Sequence, residues 1–387
     1  GAQERRPPIL GPMTGTALDR LAGALGGSPE ALFRAPGRAN IIGEHTDYNG
    51  GLVLPVALEM STYVGGRFLS EPVVRLRSAD LNEDFEAPLD ADPRRIEGWG
   101  RYVAAVARSL DEAGVPRRGF EGVVASDVPL GSGLSSSAAL EVAVALSLSE
   151  AELDPLAVAR ICRRAENEFV GVRSGIMDQL TSSAGRAGSA LLIDCGCESF
   201  DYVTFPENLT VLLVDSGVSH DNSAGDYNAR REQCMQAARV LAVPHLACAT
   251  EELISERSPE LREVLVRRAR HVVTEHARVR QAADALKRDD RSRLAATLHR
   301  SHESYARDFE ASTPEIDALI EIAYETDGVV GARLTGGGFG GCTVNLVEKA
   351  AAQEAAKEVT RRYWERTGIE ARWWLTAPSP GAERMPV

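Results

Sequence analysis

The stretch FEGVVASDVPLGSGLSSSAALEVAVALSLSEAEL, Phe120 to Leu153, runs from a β-like segment through a glycine loop into a long apolar helix. Gly131 and Gly133 let the backbone approach a ligand with no Cβ in the way. Ser135, Ser136 and Ser137 fall on the first turn of the helix, where unpaired N–H groups and the positive end of the dipole collect. A glycine loop feeding such a helix end is a phosphate cradle by geometry. Serine hydroxyls there can add hydrogen bonds or ligate Mg²⁺, the hard ion that travels with nucleotide phosphates. The plainer reading is a helix cap after a tight turn, but two glycines and three serines are more than a cap needs.

Outward from this loop the pattern mixes strands and helices. VVRLRS at Val73 reads as a strand, and GWGRYVAAVARSLDEAG as a helix closing at Gly114. Asp154 and Pro155 open a second helix, DPLAVARICRRAENEFVG, and SALLIDC and LTVLLVDSG read as buried strands. From about Asp226 to Phe309 the composition turns helical and rich in Arg, Glu and Ala, after which an α/β mixture returns. At 387 residues two domains are expected, 1–205 and 206–387, with the cut near Phe205. LTGGGFGGCTVNLV holds a formal G-x-G-x-x-G at Gly336, Gly338 and Gly341, but β-like residues follow it rather than a helix. A glycine turn between two strands, packed against another backbone or a ligand, fits better.

A second corner carries side-chain chemistry. In NIIGEHTDYNGGLVLPVAL, two apolar runs read as strands, and Glu44, His45 and Asp47 stand between them before a turn at Asn49 and Gly50. A metal site would want a second ligand cluster, such as H-E-x-x-H, and a hydrolytic triad would want a G-x-S-x-G nucleophile; neither occurs. A grip for a ligand rich in hydroxyls remains, since carboxylates accept from such groups and His donates or accepts. Asp178, in the small-residue stretch GVRSGIMDQLTSS, needs a counter-ion or a task.

Composition narrows the classes further. The net charge of −13 argues against nucleic acid or an anionic membrane as partner. No run approaches the length of a membrane span, and GAQERRPPIL lacks the apolar core of a signal peptide. Among six cysteines only Cys195 and Cys197 lie close and no C-x-x-C occurs, so a reducing cytoplasm is expected. The only lysines are Lys287, Lys349 and Lys357, and none follows a glycine, which rules out a G-x-x-x-x-G-K-[ST] loop. Nucleotide phosphates would have to be held without that lysine.

Three stretches in order, APGRANIIGEHTDYNGG, VPLGSGLSSSAALEVA and LTGGGFGGCTVNLV, resemble the GHMP small-molecule kinases, and the first is similar to the galactokinase signature. AENEFVGVRSGIMDQ, LLVDSGVSHDNSAGDYNARREQC and RARHVVTEHARV extend the likeness over most of residues 30–345. The resemblance implies a mixed α/β (α+β) two-domain fold with the active site in the cleft between the domains. It implies an ATP-dependent kinase that phosphorylates the anomeric hydroxyl of D-galactose, at the entry to galactose catabolism. By the same likeness Arg38, Glu44, His45 and Asp47 surround the sugar, Gly175 lies against it and Tyr227 touches it. Asp178 is the acid–base residue beside Arg38, or else an orienting charge while Arg38 stabilises the oxyanion. Gly131, Gly133, Ser135, Ser136 and Ser137 wrap the ATP phosphates, Mg²⁺ is held by Ser136 or Ser137 with Glu166, and Trp99 and Tyr102 sit near adenine. Departures are Ser132, where relatives often carry Gly, and Ala39, where a larger aliphatic residue is common. Kinases for N-acetylgalactosamine, galactosamine or arabinose share much of this motif set. A non-catalytic galactose sensor is disfavoured because SSSAAL is intact. A monomer or weak homo-oligomer is expected.

Overall fold

The computed structural model describes residues 15–219 and 223–387. The amino-terminal segment read for a leader lies outside them, as do His220 to Asn222 within LLVDSGVSHDNSAGDYNARREQC. The helix Ser136–Leu148 is central. Its residues are apolar almost all round, so it has no face to give to water and is buried within the first half. It packs on the strands Ala31–Asn40 and Pro55–Leu69 and on the helices Gly100–Glu112, Pro155–Ala165 and Met177–Ala184. The last of these carries Asp178.

Among the described residues three sheets are formed. A six-stranded sheet runs in the order Glu383–Met385, Ala31–Asn40, Pro55–Leu69, Gly119–Ser126, Val73–Ser78 and Glu83–Pro88. Within it only the pairing of Val73–Ser78 with Gly119–Ser126 is parallel. A four-stranded antiparallel sheet joins Val329–Leu334, Gly340–Glu348, Leu209–Ser219 and Arg372–Thr376. The third sheet is Leu52–Val53, Ser189–Asp194 and Ser199–Thr204. The chain's final strand thus returns to the first sheet, and one apolar cluster joins Ile41, Leu58 and Phe205 to Leu213, Val279 and Leu346.

Three readings of the elements need correction. GLVLPVAL is not one strand: the chain leaves one sheet after Val53 and enters another at Pro55, whose missing N–H suits such a break. NIIG follows a strand rather than forming one, although Ile41 and Leu54 keep a backbone hydrogen bond of 3.1 Å across the corner. Hydropathy registers burial there, and both segments are buried, but it is blind to a change of sheet. The helix of DPLAVARICRRAENEFVG likewise ends at Ala165 and passes into one π-helical turn, Glu166–Val170. Such turns widen a helix by one residue and re-aim its side chains.

Candidate functional site

A break in strand register turns Arg38 toward the glycine loop. The pairing of Ala31–Asn40 with Pro55–Leu69 shifts between Pro36 and Arg38, the kind of bulge that redirects a side chain. Gly37 at this bulge has no room for a Cβ, which would meet the Leu134 carbonyl oxygen at 2.7 Å. Arg38 then grips Asp178 with two parallel bonds, Nε to Oδ1 at 2.8 Å and Nη2 to Oδ2 at 2.7 Å. Fork-to-fork pairing of this kind fixes orientation as well as charge. The third nitrogen, Nη1, donates to the Gly133 carbonyl, so one guanidinium ties the acid to the glycine loop.

In that loop Gly131 and Gly133 both have positive φ, +73° and +76°, a backbone that only glycine adopts without cost. Ser135 also has positive φ, and it sits where a capping residue would precede the helix. It does not cap; its hydroxyl donates to Asp178. Ser137 Oγ lies 3.3 Å from Glu166 Oε1. The second glycine run packs on the first: a Cβ on Gly336 would meet the Gly133 carbonyl oxygen at 3.3 Å, and one on Gly341 the Ser132 carbonyl oxygen at 3.4 Å. The G-x-G-x-x-G match is therefore a turn between antiparallel strands, seated against the cradle.

Glu166 is buried in the π-helical turn and bonded by Ser174 Oγ and by Gln179 Nε2, the latter at 3.0 Å. Burial pushes its carboxyl up, the Ser174 hydroxyl works against that, and the Asp178 charge adds to it. Tyr102 stands near, its phenol pushed up to about 12 by burial and by the charge of Glu166. Trp99, just before the helix that carries Tyr102, packs edge-to-face with Phe85 at 5.9 Å.

The corner is held by groups from the far end of the chain. Gly43 N–H donates to Glu275 Oε1 at 3.1 Å, Glu44 pairs with Arg333, and Gly336 N–H donates to Glu44 Oε1 at 3.3 Å. His271 Nε2 meets the Glu44 carbonyl at 3.3 Å. His45 has positive φ, and its ring nitrogens meet Tyr48 Oη at 2.8 Å and Tyr305 Oη at 2.9 Å. Burial holds His45 well below the usual imidazole range, and His271 adds to this. Burial raises Glu44 against the pull of Arg333, with Glu275 adding to the rise. Glu275 shows the opposite balance: burial would raise it, but Arg278 and Arg333 bring it down to about 2.

Asp47 faces Asp178 across the site. Burial is the main cause of its rise to about 6; the Tyr48 N–H opposes the shift and the Asp178 charge adds to it. Gly175 N–H donates to Asp47 Oδ2 at 3.2 Å, and any side chain on Gly175 would strike that oxygen. Tyr227, on the helix Ser223–Leu241, stands with its ring 5.2 Å from that of His45, and burial raises its phenol well above the usual range.

Arg38, Asp178, Ser135 and Gly133 are thus joined by direct bonds, as are Ser137 with Glu166 and Asp47 with Gly175. Sequence reasoning missed Arg333, Glu275, His271, Tyr305, Gln179 and Glu141. Signals existed: Arg333 is a charge inside a buried strand, and His271 and Glu275 share a helix face at a spacing of four. Glu166 Oε1 and Ser137 Oγ are hard oxygen donors, which fit a cation that completes its shell with water and phosphate oxygens. Among the described residues no cluster of three or more His, Cys, Asp or Glu forms an all-protein metal cage.

Comparison with known proteins bears on this geometry. Residues 23–68 match the galactokinase galactose-binding signature, 101–186 the GHMP kinases N terminal domain, and 282–366 the GHMP kinases C terminal domain. A galactokinase of Roseiflexus sp. (strain RS-1) is 40% identical over 96% of this chain and 97% of its own. The galactokinase of Homo sapiens is 41% identical over 98% of each chain. The crystal structure of Lactococcus lactis galactokinase complexed with galactose superposes with a TM-score of 0.89 at 30% identity, covering 95% of this chain and 98% of that one. The mevalonate kinase of Methanococcus jannaschii, at 20% identity, shares the fold with a TM-score of 0.64, covering 91% of this chain and 99% of its own.

Proposed function

The chain belongs to the galactokinases of the GHMP kinase family, and on that premise we propose that it transfers the γ-phosphoryl group of ATP to the anomeric hydroxyl of D-galactose. The observation that carries the reading is the Arg38–Asp178 fork, which links the glycine cradle to the acid beside the corner. As the C1 oxygen bonds to the γ-phosphorus, the bond to the β,γ-bridging oxygen breaks and ADP leaves with that electron pair. Asp178 takes the hydroxyl proton. Arg38 fixes the direction of Asp178, and the helix N–H groups behind Gly133 stabilise phosphate charge.

Asp47 accepts from sugar hydroxyls; Tyr227 and the Gly175 backbone bound the same space. Glu44 and His45 already have protein partners, so their part is to present the corner in one geometry, with any remaining lone pair offered to the sugar. A site built on such bonds rejects an analogue lacking the hydroxyl by roughly 10⁴–10⁵. Ser137 and Glu166 would hold Mg²⁺, which when bound neutralises phosphate charge; Ser136, in the first turn of the same helix, belongs on the phosphate side. Trp99 and Tyr102 belong on the adenine side.

The reading keeps the division into 1–205 and 206–387, with the reaction at their junction, since the corner and cradle come from one part and Arg333 and Tyr227 from the other. Six cysteines without a disulfide suit a reducing cytoplasm. No helix among the described residues is long and apolar enough to cross a membrane.

The test is ADP release with Mg-ATP and a panel of galactose, N-acetylgalactosamine, galactosamine and arabinose, compared by kcat/KM. Galactose should lead; no turnover with galactose sinks the reading. Asp178→Asn should lower kcat by about 10³-fold, within the range of general-base catalysis, while galactose still binds. A variant that stays fast removes the proton-acceptor role.

A further inference from the structure

Gln179 follows Asp178 in the same helical turn and is completely buried. Its amide nitrogen donates to two carboxyl groups at once, Glu166 Oε2 at 3.0 Å and Glu141 Oε2 at 3.1 Å. Glu141 is fully buried too, on a helix face it shares with Ala138, Val144, Ala145 and Leu148. Among the described residues its only side-chain hydrogen-bond partner is that amide, and its second oxygen has none. Burying such a carboxyl is costly, so something must be gained by keeping it. What it does is fix the direction of the Gln179 amide.

We propose that Gln179, anchored by Glu141, is a positioning residue that holds Glu166 with one oxygen turned toward Ser137 and the other turned away. The Ser174 hydroxyl and the Gln179 amide both bond Oε2 of Glu166, which leaves Oε1 facing Ser137 Oγ at 3.3 Å. Glu166 is thereby set for one-oxygen coordination, since two-oxygen chelation would have to strip both donors from Oε2. Because Asp178 and Gln179 are consecutive, one turn of helix also sets the distance between the proton acceptor and the metal carboxylate. The inference rests on the reading of Glu166 as a metal ligand.

The experiment is a Mn²⁺ titration of the protein–ADP complex followed by electron paramagnetic resonance, alongside Tm and galactose KM. Gln179→Leu and Gln179→Met remove the donors at similar volume. Each should weaken Mn²⁺ binding by about tenfold or more, the usual size for a group that orients a ligand, with galactose KM within about twofold. Glu141→Leu should reproduce the loss, and Glu141→Gln, which keeps an acceptor for the amide, should restore it. Glu166→Gln separates the two layers of the argument. Weakened Mn²⁺ binding there, with unchanged binding in both Gln179 variants, overturns the positioning role alone. Unchanged binding in Glu166→Gln overturns the metal assignment and this inference together. Metal and galactose affinity falling together with Tm also overturns it, because that is the mark of a merely structural residue.

Discussion

The corner at Glu44 to Asp47 and the glycine loop at Gly131 to Ser137 solve opposite problems. The corner is buried and locked by side chains from far along the chain: Glu275 on Gly43, Arg333 on Glu44, His271 on the Glu44 carbonyl, Tyr305 on His45. Each partner lies more than two hundred residues away along the chain. The loop is exposed at Gly131 and Gly133, and its shape comes from its own positive φ angles. A region that must discriminate hydroxyls needs fixed, desolvated partners; one that meets phosphate needs free N–H groups and no Cβ. The difference predicts that damage to the corner acts strongly on folding as well as function, whereas damage to the loop falls mainly on nucleotide.

The largest expected effect breaks the corner. Arg333→Met strands Glu44 as a buried carboxylate without its cation, while Glu275 keeps its pair with Arg278 at 2.7 Å. Removing one partner of a buried pair costs about 3–5 kcal/mol. Thermal unfolding should show a large loss of Tm, accompanied by a rise in galactose KM. Adding Glu44→Gln removes the stranded charge, so the double variant should recover part of the lost stability. A single variant as stable as the parent would show that the corner does not depend on this lock.

This contrast also explains what was legible in the sequence. The loop could be read because glycine, serine and an apolar helix sit within twenty residues, and their physics is local. The chemistry of the corner, acids and imidazole at a turn, was visible too, as was Asp178. Its supports were not. Nothing around Arg333 or Glu275 says which carboxylate or N–H each will meet, because that depends on how the strand Val329–Leu334 and the helix Glu263–Lys287 close on residues 43–45. The switch of sheets at Leu54 was hidden for a related reason: both segments are buried, and burial is all that hydropathy records.

A smaller change sharpens the comparison from the loop side. At Gly131 an added Cβ meets nothing within 4 Å, so Gly131→Ala tests backbone conformation without a clash. Holding φ near +73° with a Cβ costs about 1–2 kcal/mol. The price should appear as a raised KM for ATP with galactose KM unchanged and only a modest fall in Tm. A matching rise in galactose KM would mean that the two regions are mechanically coupled; the measurement is a pair of saturation curves.

The smallest expected effect is a pH dependence that belongs to the corner. Asp47 titrates at about 6 because it is buried, with the Asp178 charge adding to the rise and Arg38 opposing it. As an acceptor for sugar hydroxyls it must be ionised, so kcat/KM for galactose should fall as pH drops through 6, by about fourfold at pH 5.5. His271, brought down to about 4 mainly by burial, and His45, lower than usual for the same reason, supply no limb near 6. Asp47→Asn should lower kcat/KM and remove the inflection; an inflection that survives in this variant would assign it elsewhere. Stability runs the other way. The folded value lies above the ordinary 3.8, so the folded state holds the extra proton between about 4 and 6 and loses that advantage as pH rises through 6. The form of Asp47 that grips sugar is therefore the form the fold disfavours, and galactose binding should raise Tm more at pH 7 than at pH 5.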